Sequence, residues 1–233
     1  DIFRTLTRDD LLEYYRTFYV PNNMIVTVAG GVRVDDVLPK IEEAFKDFRP
    51  RSFPLRVLPR EPEQISLRRV EAEYPTELIR LTMAYQGIPV LHSDLYALDV
   101  LAMAIGGGES SPLYRDLYKR KGLVESIEAS DYTPMDQGYF EISALLKKDN
   151  VDAVAQEIRS VVADAQRRGF APAELDKVKR QTAVTNVYSR ETAGSMAYRM
   201  SMEEAFTGDH LFSERYLEGV KAVTNEDIKR VAR

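Results

Sequence analysis

Apolar residues recur at regular spacing along most of the chain, and this pattern predicts its elements. A capping signature at Thr7 opens a helix that is apolar on one side up to Tyr19. A second helix with an apolar side covers residues 35–48. Between them, residues 24–29 (MIVTVA) are continuously apolar, which predicts a buried strand.

The remainder of the chain alternates pairs of strands with helices. The predicted strands are 65–74, 78–86, 123–130 and 138–146. The predicted helices are 93–105, 111–122, 151–169, 172–207 with a bend or break near Gly194, 210–221, and 225 onward. This order is typical of an α+β fold.

The strand 123–130 alternates imperfectly between apolar and polar residues. In a regular strand Glu125 and Glu128 fall on opposite faces, so neither face is cleanly apolar. We expect an edge strand that meets solvent or a peptide, while an ordinary half-buried hairpin strand paired with 138–146 stays open.

Proline content and an internal echo predict the domain organisation. Residues 49–64 hold four prolines without hydrophobic periodicity, which predicts a linker. The segments LTRDDLLEYY and VTNEDIKRVAR share one helix-opening signature, and only the first continues into an apolar strand. Residues 1–48 are therefore interpreted as the tail of a preceding domain, and 65–233 as a second domain lacking its closing strand. A match of ten residues between capped helices also arises by coincidence.

One thirty-residue stretch carries the most specific signal. In LAMAIGGGESSPLYRDLYKRKGLVESIEAS an apolar helix ends in Gly106, Gly107 and Gly108, and a short helix then starts with Ser111 as N-cap and Pro112 at its first position. This block resembles LGxGxSSxLYxxLRExxGLxYSV of the insulinase/pitrilysin-type zinc peptidases. The resemblance implies an α+β fold with a mixed, largely antiparallel sheet covered on one face by helices. It also implies that 1–48 ends the metal-bearing domain.

The catalytic elements of that family are missing from the chain. There is no H-x-x-E-H motif, and His92 and His210 are the only histidines. His210 precedes Glu214 by one helical turn, a spacing that is far more typical of a solvated pair than of a metal site. The family's carbonyl-polarising arginine and tyrosine fall on Tyr118 and Glu125, which do not match. The sequence therefore predicts no catalytic residue and no metal ligand here, and zinc only in the parent enzyme.

The resemblance implies that this domain forms chamber wall and binds substrate. Family members add the peptide as a strand to a sheet edge. On this chain the edge corresponds to Ser126, Ile127, Glu128, Ala129 and Ser130, with the loop Gly106–Gly108 beside it. The implied partners are the metal-bearing domain upstream, an opposing family half in the same or another chain, and the peptide.

Composition adds mainly exclusions. A net charge of −5 with interspersed signs argues against nucleic-acid binding. No apolar run approaches the length of a membrane span, and zero cysteines exclude a disulfide framework and a thiolate site. We expect a soluble protein and favour the periplasm over the cytoplasm, although neither the composition nor the cysteine count identifies the compartment.

Phosphate binding and a scaffold role are the two other functions that the sequence suggests. The glycine loop precedes a helix N-terminus, but GGGESS matches neither phosphate-binding fingerprint, so a tight turn is the better interpretation. A non-catalytic subunit that acts as scaffold or partner of an active peptidase is the main alternative to a peptidase domain. An H-x-x-E-H motif upstream in the parent discriminates between the two.

We expect the isolated chain to bind no stoichiometric zinc and to hydrolyse no peptide, because both catalytic elements are missing. Metal analysis of chelator-free protein measures this directly. A content of about one zinc per chain would contradict the prediction.

Overall fold

The computed structural model describes residues 2–54, 57 and 59–233, so positions 55, 56 and 58 of the predicted linker 49–64 lie outside the described residues. Two compact units are present: Asp1–Pro59 with Ser189–His210 (the first unit), and Arg60–Tyr188 with Leu211–Arg233 (the second unit). The sequence-based division at 48 and 65 stays a prediction, and it does not include the placement of 189–210 in the first unit.

The described helices and strands follow the predicted order for most of the chain. The α-helices are α1 Arg8–Phe18, α2 Val34–Phe45, α3 Leu95–Gly106, α4 Val151–Arg168, α5 Pro172–Tyr188, α6 Ala193–Thr207, α7 Phe212–Ala222 and α8 Asn225–Ala232. The strands are β1 Ile79–Gln86, β2 Val124–Tyr132 and β3 Tyr139–Leu146. Short 3₁₀ turns span Ile2–Thr5, Pro21–Asn23 and Lys148–Asn150, and a π-helix spans Tyr114–Arg120.

Threonine caps start the helices whose sequences echo each other. Thr7 accepts a hydrogen bond from the Asp10 backbone N–H at the start of α1, and the Asp10 carboxylate accepts from the Thr7 N–H at 2.7 Å. Thr224 and Asp227 repeat this reciprocal arrangement at the start of α8. The predicted start of the first helix at Thr7 is therefore confirmed, and the two echoing segments also share their capping geometry.

The predicted strand 24–29 does not form in the first unit. Met24 has an extended backbone, with φ −130° and ψ 142°, but no strand of the described residues pairs with this segment. Ile25 and Val26 are 46% and 49% exposed. An extended segment becomes a strand only when a neighbour accepts and donates its backbone hydrogen bonds, and an apolar run does not by itself supply that neighbour.

The second unit is built on a three-stranded antiparallel sheet in the order β1-β3-β2. Ser143 of β3 lies between Thr82 of β1 and Glu128 of β2, so these residues form one row across the sheet. The predicted strands at 78–86, 123–130 and 138–146 are thus present. The predicted strand 65–74 is not, and its apolar side chains are exposed, with Ile65 at 93% and Val70 at 91%.

Helix α3 is the centre of the second unit. Nine of its twelve residues are buried, and it packs against β2, α4, α5, α7 and α8. Its core side chains include Val100 and Ile105, which are 0% and 1% exposed. A helix that is apolar on all sides has to be covered on all sides, so the sheet lies against one flank and the helices cover the others.

The predicted break near Gly194 is confirmed, since the helical tract 172–207 is two helices, α5 and α6, separated by residues 189–192. One other prediction needs correction. The predicted helix 111–122 is wound mostly as a π-helix, in which the Lys121 N–H donates to the Asp116 carbonyl at 3.1 Å. A π-helix places the bond five residues apart, and residue spacing gives no local signal for it.

Gly106→Ala should destabilise the second unit by about 1–3 kcal/mol, the usual cost of overpacking. A Cβ at position 106 would lie 2.3 Å from the Ala129 backbone nitrogen, so α3 or β2 would have to shift. Urea unfolding followed by circular dichroism measures the effect. As a matched control, Gly31→Ala meets no atom within 4 Å and should change stability by less than about 0.5 kcal/mol. Equal stability of the two variants would contradict the prediction.

Candidate functional site

The glycine loop is held directly against β2. Gly106 is buried at the end of α3, where the backbone of Ala129 is so close that no side chain fits. A Cβ on Gly107 would lie 2.6 Å from the Met103 carbonyl oxygen, and Gly108 has φ +78°, a conformation that favours glycine. The structure thus brings together the two parts of the predicted site, the glycine loop and the strand.

Strand β2 lies at one edge of the three-stranded sheet. Beyond β3 it has no neighbouring strand among the described residues. Ser126, Glu128 and Ser130 are exposed, Ala129 is half-buried, and Ile127 is 6% exposed and belongs to the core. The predicted segment is therefore an edge strand with an apolar inner face and a polar outer face.

A β-bulge corrects the predicted alternation of this strand. The register moves between Val124 and Ser126, so Glu125 has no partner of its own on β3. The extra residue lets Val124 and Ile127 both enter the core, while Glu125 and Glu128 are both exposed. The interpretation that the two glutamates lie on opposite faces, with neither face cleanly apolar, is wrong.

The positions of the missing arginine and tyrosine carry no equivalent chemistry. Tyr118 lies in the π-helix, 40% exposed, with its ring 4.7 Å from that of Tyr114. Glu125 is exposed at the bulge. A carboxylate at this position cannot stabilise a developing oxyanion, because it has the wrong sign of charge.

Two nearby arginines, Arg115 and Arg120, both donate hydrogen bonds to the Asp116 carboxylate. Arg115 donates from Nε and Nη2 to the two oxygens of Asp116, at 3.0 and 2.8 Å, and Arg120 donates to the same carboxylate at 2.9 Å. The pKa of Asp116 is lowered, first by the hydrogen bond from Arg115. The two guanidinium groups therefore neutralise a neighbouring side chain on their own helix.

Each histidine ring has a polar contact in its own neighbourhood. The Asp94 N–H donates to Nδ1 of His92 at 3.1 Å. Nδ1 of His210 lies 3.4 Å from Glu204 Oε2. Among the described residues no group of three potential ligands comes together.

A pair of carboxyl groups lies where α3 packs on β2, and no sequence pattern predicts it. Asp99, the single charged residue of α3, is hydrogen-bonded to Asp131 of β2 and accepts a hydrogen bond from the Tyr216 hydroxyl of α7. Burial, followed by the charge of Asp131, raises the pKa of Asp99 to about 8. Burial also raises the pKa of Asp131. At neutral pH the pair therefore holds a proton.

Comparison with known proteins identifies the family. A family model described as the peptidase M16 inactive domain matches residues 5–182, which is most of the chain. The chain belongs to this M16 family. The predicted resemblance to insulinase/pitrilysin-type zinc peptidases, in the domain type that lacks the metal, is thereby confirmed.

Curated relatives of this M16 domain are about twice as long. The chain is 24% identical over 225 residues to the uncharacterized zinc protease YmxG of Bacillus subtilis, covering 97% of this chain and 54% of that protein. It is 26% identical over 242 residues to the uncharacterized zinc protease SCO5738 of Streptomyces coelicolor, covering 100% of this chain and 52% of that protein. The chain thus spans about half the length of these relatives.

Solved structures confirm the α+β fold. A protease from Helicobacter pylori matches with a TM-score of 0.90 at 23% identity, covering 98% of this chain and 56% of that one. A peptidase M16 inactive domain from Pseudomonas fluorescens matches with a TM-score of 0.83 at 17% identity, covering 97% and 54%. In the described part of this M16 domain, no helix has the length and apolar content needed to cross a membrane.

The stability of the M16 domain should fall as the pH rises from about 4 to about 8. The unfolded chain releases the proton of Asp99 near its ordinary pKa of 3.8, whereas the folded chain keeps it to about 8. Across that window the folded state binds one more proton, so the free energy of unfolding decreases with increasing pH.

Asp99→Asn should remove much of this decrease, since an amide is neutral at every pH. Urea unfolding at pH 5.5 and 8.5 compares the variant with the unmodified chain. The matched control is Asp136→Asn at an exposed aspartate, which should keep the full decrease. A decrease of the same size in the Asp99 and Asp136 variants would count against a shared proton.

Proposed function

We propose that this chain is the wall and peptide-binding part of a zinc-dependent endopeptidase and that a peptide binds to β2 as an added strand. The observation that carries this proposal is the edge of β2 beside the glycine loop, where no further strand pairs in the part of the chain that the structure describes. Main-chain hydrogen bonds to such an edge do not depend on side chains, which suits an enzyme that accepts many sequences.

The chemistry itself belongs to other parts of the parent. The chain has no H-x-x-E-H motif, and Arg115 and Arg120, the arginines of the π-helix segment, are paired with Asp116. The relatives named zinc proteases support zinc in the parent. The ion would be held by the metal-bearing domain that precedes this one.

The first unit supports an association with that domain. Its large apolar side chains are widely exposed, including Leu11, Val28 and Leu38 at 60%, 48% and 49%. Exposed apolar side chains in this number support a contact with another protein part. The apolar segment 24–29, which begins with the extended Met24, pairs with no strand among the described residues, and a neighbouring sheet would give it a partner.

A non-catalytic scaffold subunit is the second candidate. The mismatch at Tyr118 and Glu125 favours it, because a degenerate half also loses those residues. The sequence upstream of Asp1 in the parent separates the two candidates, since H-x-x-E-H is required only by the peptidase.

Cysteine cross-linking tests the peptide edge in the full-length protein. Residues 1–233 contain no cysteine, so a cysteine placed at Glu128 is the single thiol within this part of the protein. A peptide with a thiol-reactive group should label Glu128→Cys much faster than Thr82→Cys, because a bound peptide raises the local concentration at its own edge. Thr82 is a matched control, since it is exposed in the same row of the sheet at the opposite edge.

The same reaction has internal controls for binding. An excess of unreactive peptide should suppress labelling at position 128 and leave labelling at position 82 unchanged. Peptides N-methylated at alternate residues should differ in competition according to which set of amides is blocked, because only one set faces the strand. Equal labelling at the two positions would contradict the proposal.

A further inference from the structure

A cavity of about 370 Å³ opens between the glycine loop and α5. Met103, Gly107 and Gly108 line one side, and Lys177, Arg180 and Gln181 of α5 line the other. The α5 residues follow helical spacing, so they lie on one side of that helix. The volume is at the lower end of the range for small-molecule pockets and suits one or two amino-acid side chains.

Two cationic side chains, Lys177 and Arg180, stand in a cavity whose lining is otherwise mostly apolar and includes Val184. Neither Lys177 nor Arg180 forms an ion pair among the residues that the structure describes, and no carboxylate lines the cavity. Lys177 donates a hydrogen bond to the neutral Ser110 hydroxyl. Glu109, the acidic residue of the loop itself, is paired with Lys119 instead, at 2.5 Å. In the part of the chain that the structure describes, neither cation is therefore within ion-pair distance of a carboxylate.

The cavity also lies beside the edge strand. Gly106 contacts the backbone of Ala129 in β2, and the next two residues of the loop line the cavity. Since Gly107 and Gly108 have no side chains, nothing from the loop fills the cavity. A peptide added to β2 would pass Ala129 and so come next to the loop that lines the cavity.

We propose that this cavity binds an acidic side chain of the peptide held on β2. The inference rests on the proposed function and adds a specificity to it. A guanidinium group offers a carboxylate two parallel hydrogen bonds, a lysine adds a point charge, and the Gln181 amide adds a neutral donor. Backbone pairing then holds the peptide in place, and Lys177 and Arg180 select its charge.

Two peptides that differ only in one Glu or Gln residue test the inference in the full-length protein with its metal chelated, so that no turnover occurs. Fluorescence anisotropy measures the two Kd values. We expect the Glu peptide to bind about five-fold more tightly at low salt, a typical size for a partly exposed charge pair. The preference should shrink at high ionic strength. Inorganic phosphate should compete with the Glu peptide and leave the Gln peptide unaffected.

Variants without the charges of Lys177 and Arg180 test whether this cavity causes the preference for the Glu peptide. Arg180→Gln and Lys177→Gln should each reduce the ratio of the two Kd values, and the double variant should bring it near one while the Gln peptide keeps its affinity. Lys148→Gln is the matched control, because it removes the same charge from an exposed lysine that does not line the cavity. Equal melting temperatures confirm that the variants fold.

The outcomes separate this inference from the proposed function. If both peptides bind equally to the unmodified protein while cross-linking at position 128 persists, the acidic preference is wrong and the peptide edge stands. A preference that survives in the double variant, or that falls equally with Lys148→Gln, also overturns the assignment to this cavity. If neither peptide binds and position 128 shows no selective labelling, both proposals fail.

Discussion

Burial of α3 on all sides is the constraint on which the rest of the second unit depends. A helix of leucine, alanine, valine and isoleucine gains free energy only where other elements remove it from water. The sheet covers one flank and helices cover the others. β2, α5, α7 and α8 therefore all pack against this one helix. Gly106 at the end of α3 lets the helix approach β2 closely at Ala129, and the candidate site lies next to this contact.

The same burial explains why Asp99, the one acidic residue of α3, has polar partners and keeps a proton. A carboxylate in a helix with no solvated face is costly unless it is neutral or paired. Asp99 meets this requirement with a proton, a neighbouring carboxyl group and the Tyr216 hydroxyl. The polar contact joins α3, β2 and α7 at a point where apolar packing alone would leave the three elements free to adjust.

Local pattern predicted much of the fold and part of the site. The helix from Val151 was recognisable because its apolar residues follow one face, and the loop of Gly106 was recognisable because three glycines precede a capped turn. Local pattern also predicted strands at 24–29 and 65–74 that do not form, and it could not show their absence, since strand formation depends on a pairing partner elsewhere in the chain. The pairing of Asp99 with Asp131 has the same origin, because only the packing of α3 on β2 brings them together. The bulge at Glu125 was visible as an irregular alternation, and its interpretation needed the register.

An open sheet edge is also a risk to the molecule that carries it, because another copy can pair with it as readily as a peptide can. The bulge places both Glu125 and Glu128 in solvent beside that edge. Two copies pairing antiparallel around this point would bring glutamates of both chains opposite one another, and like charges in that position are destabilising. A single peptide strand without acidic residues at those positions carries no such penalty. The β-bulge at Glu125 that lets the apolar residues of β2 enter the core thus also disfavours self-association at this edge, and it leaves the backbone of the edge available.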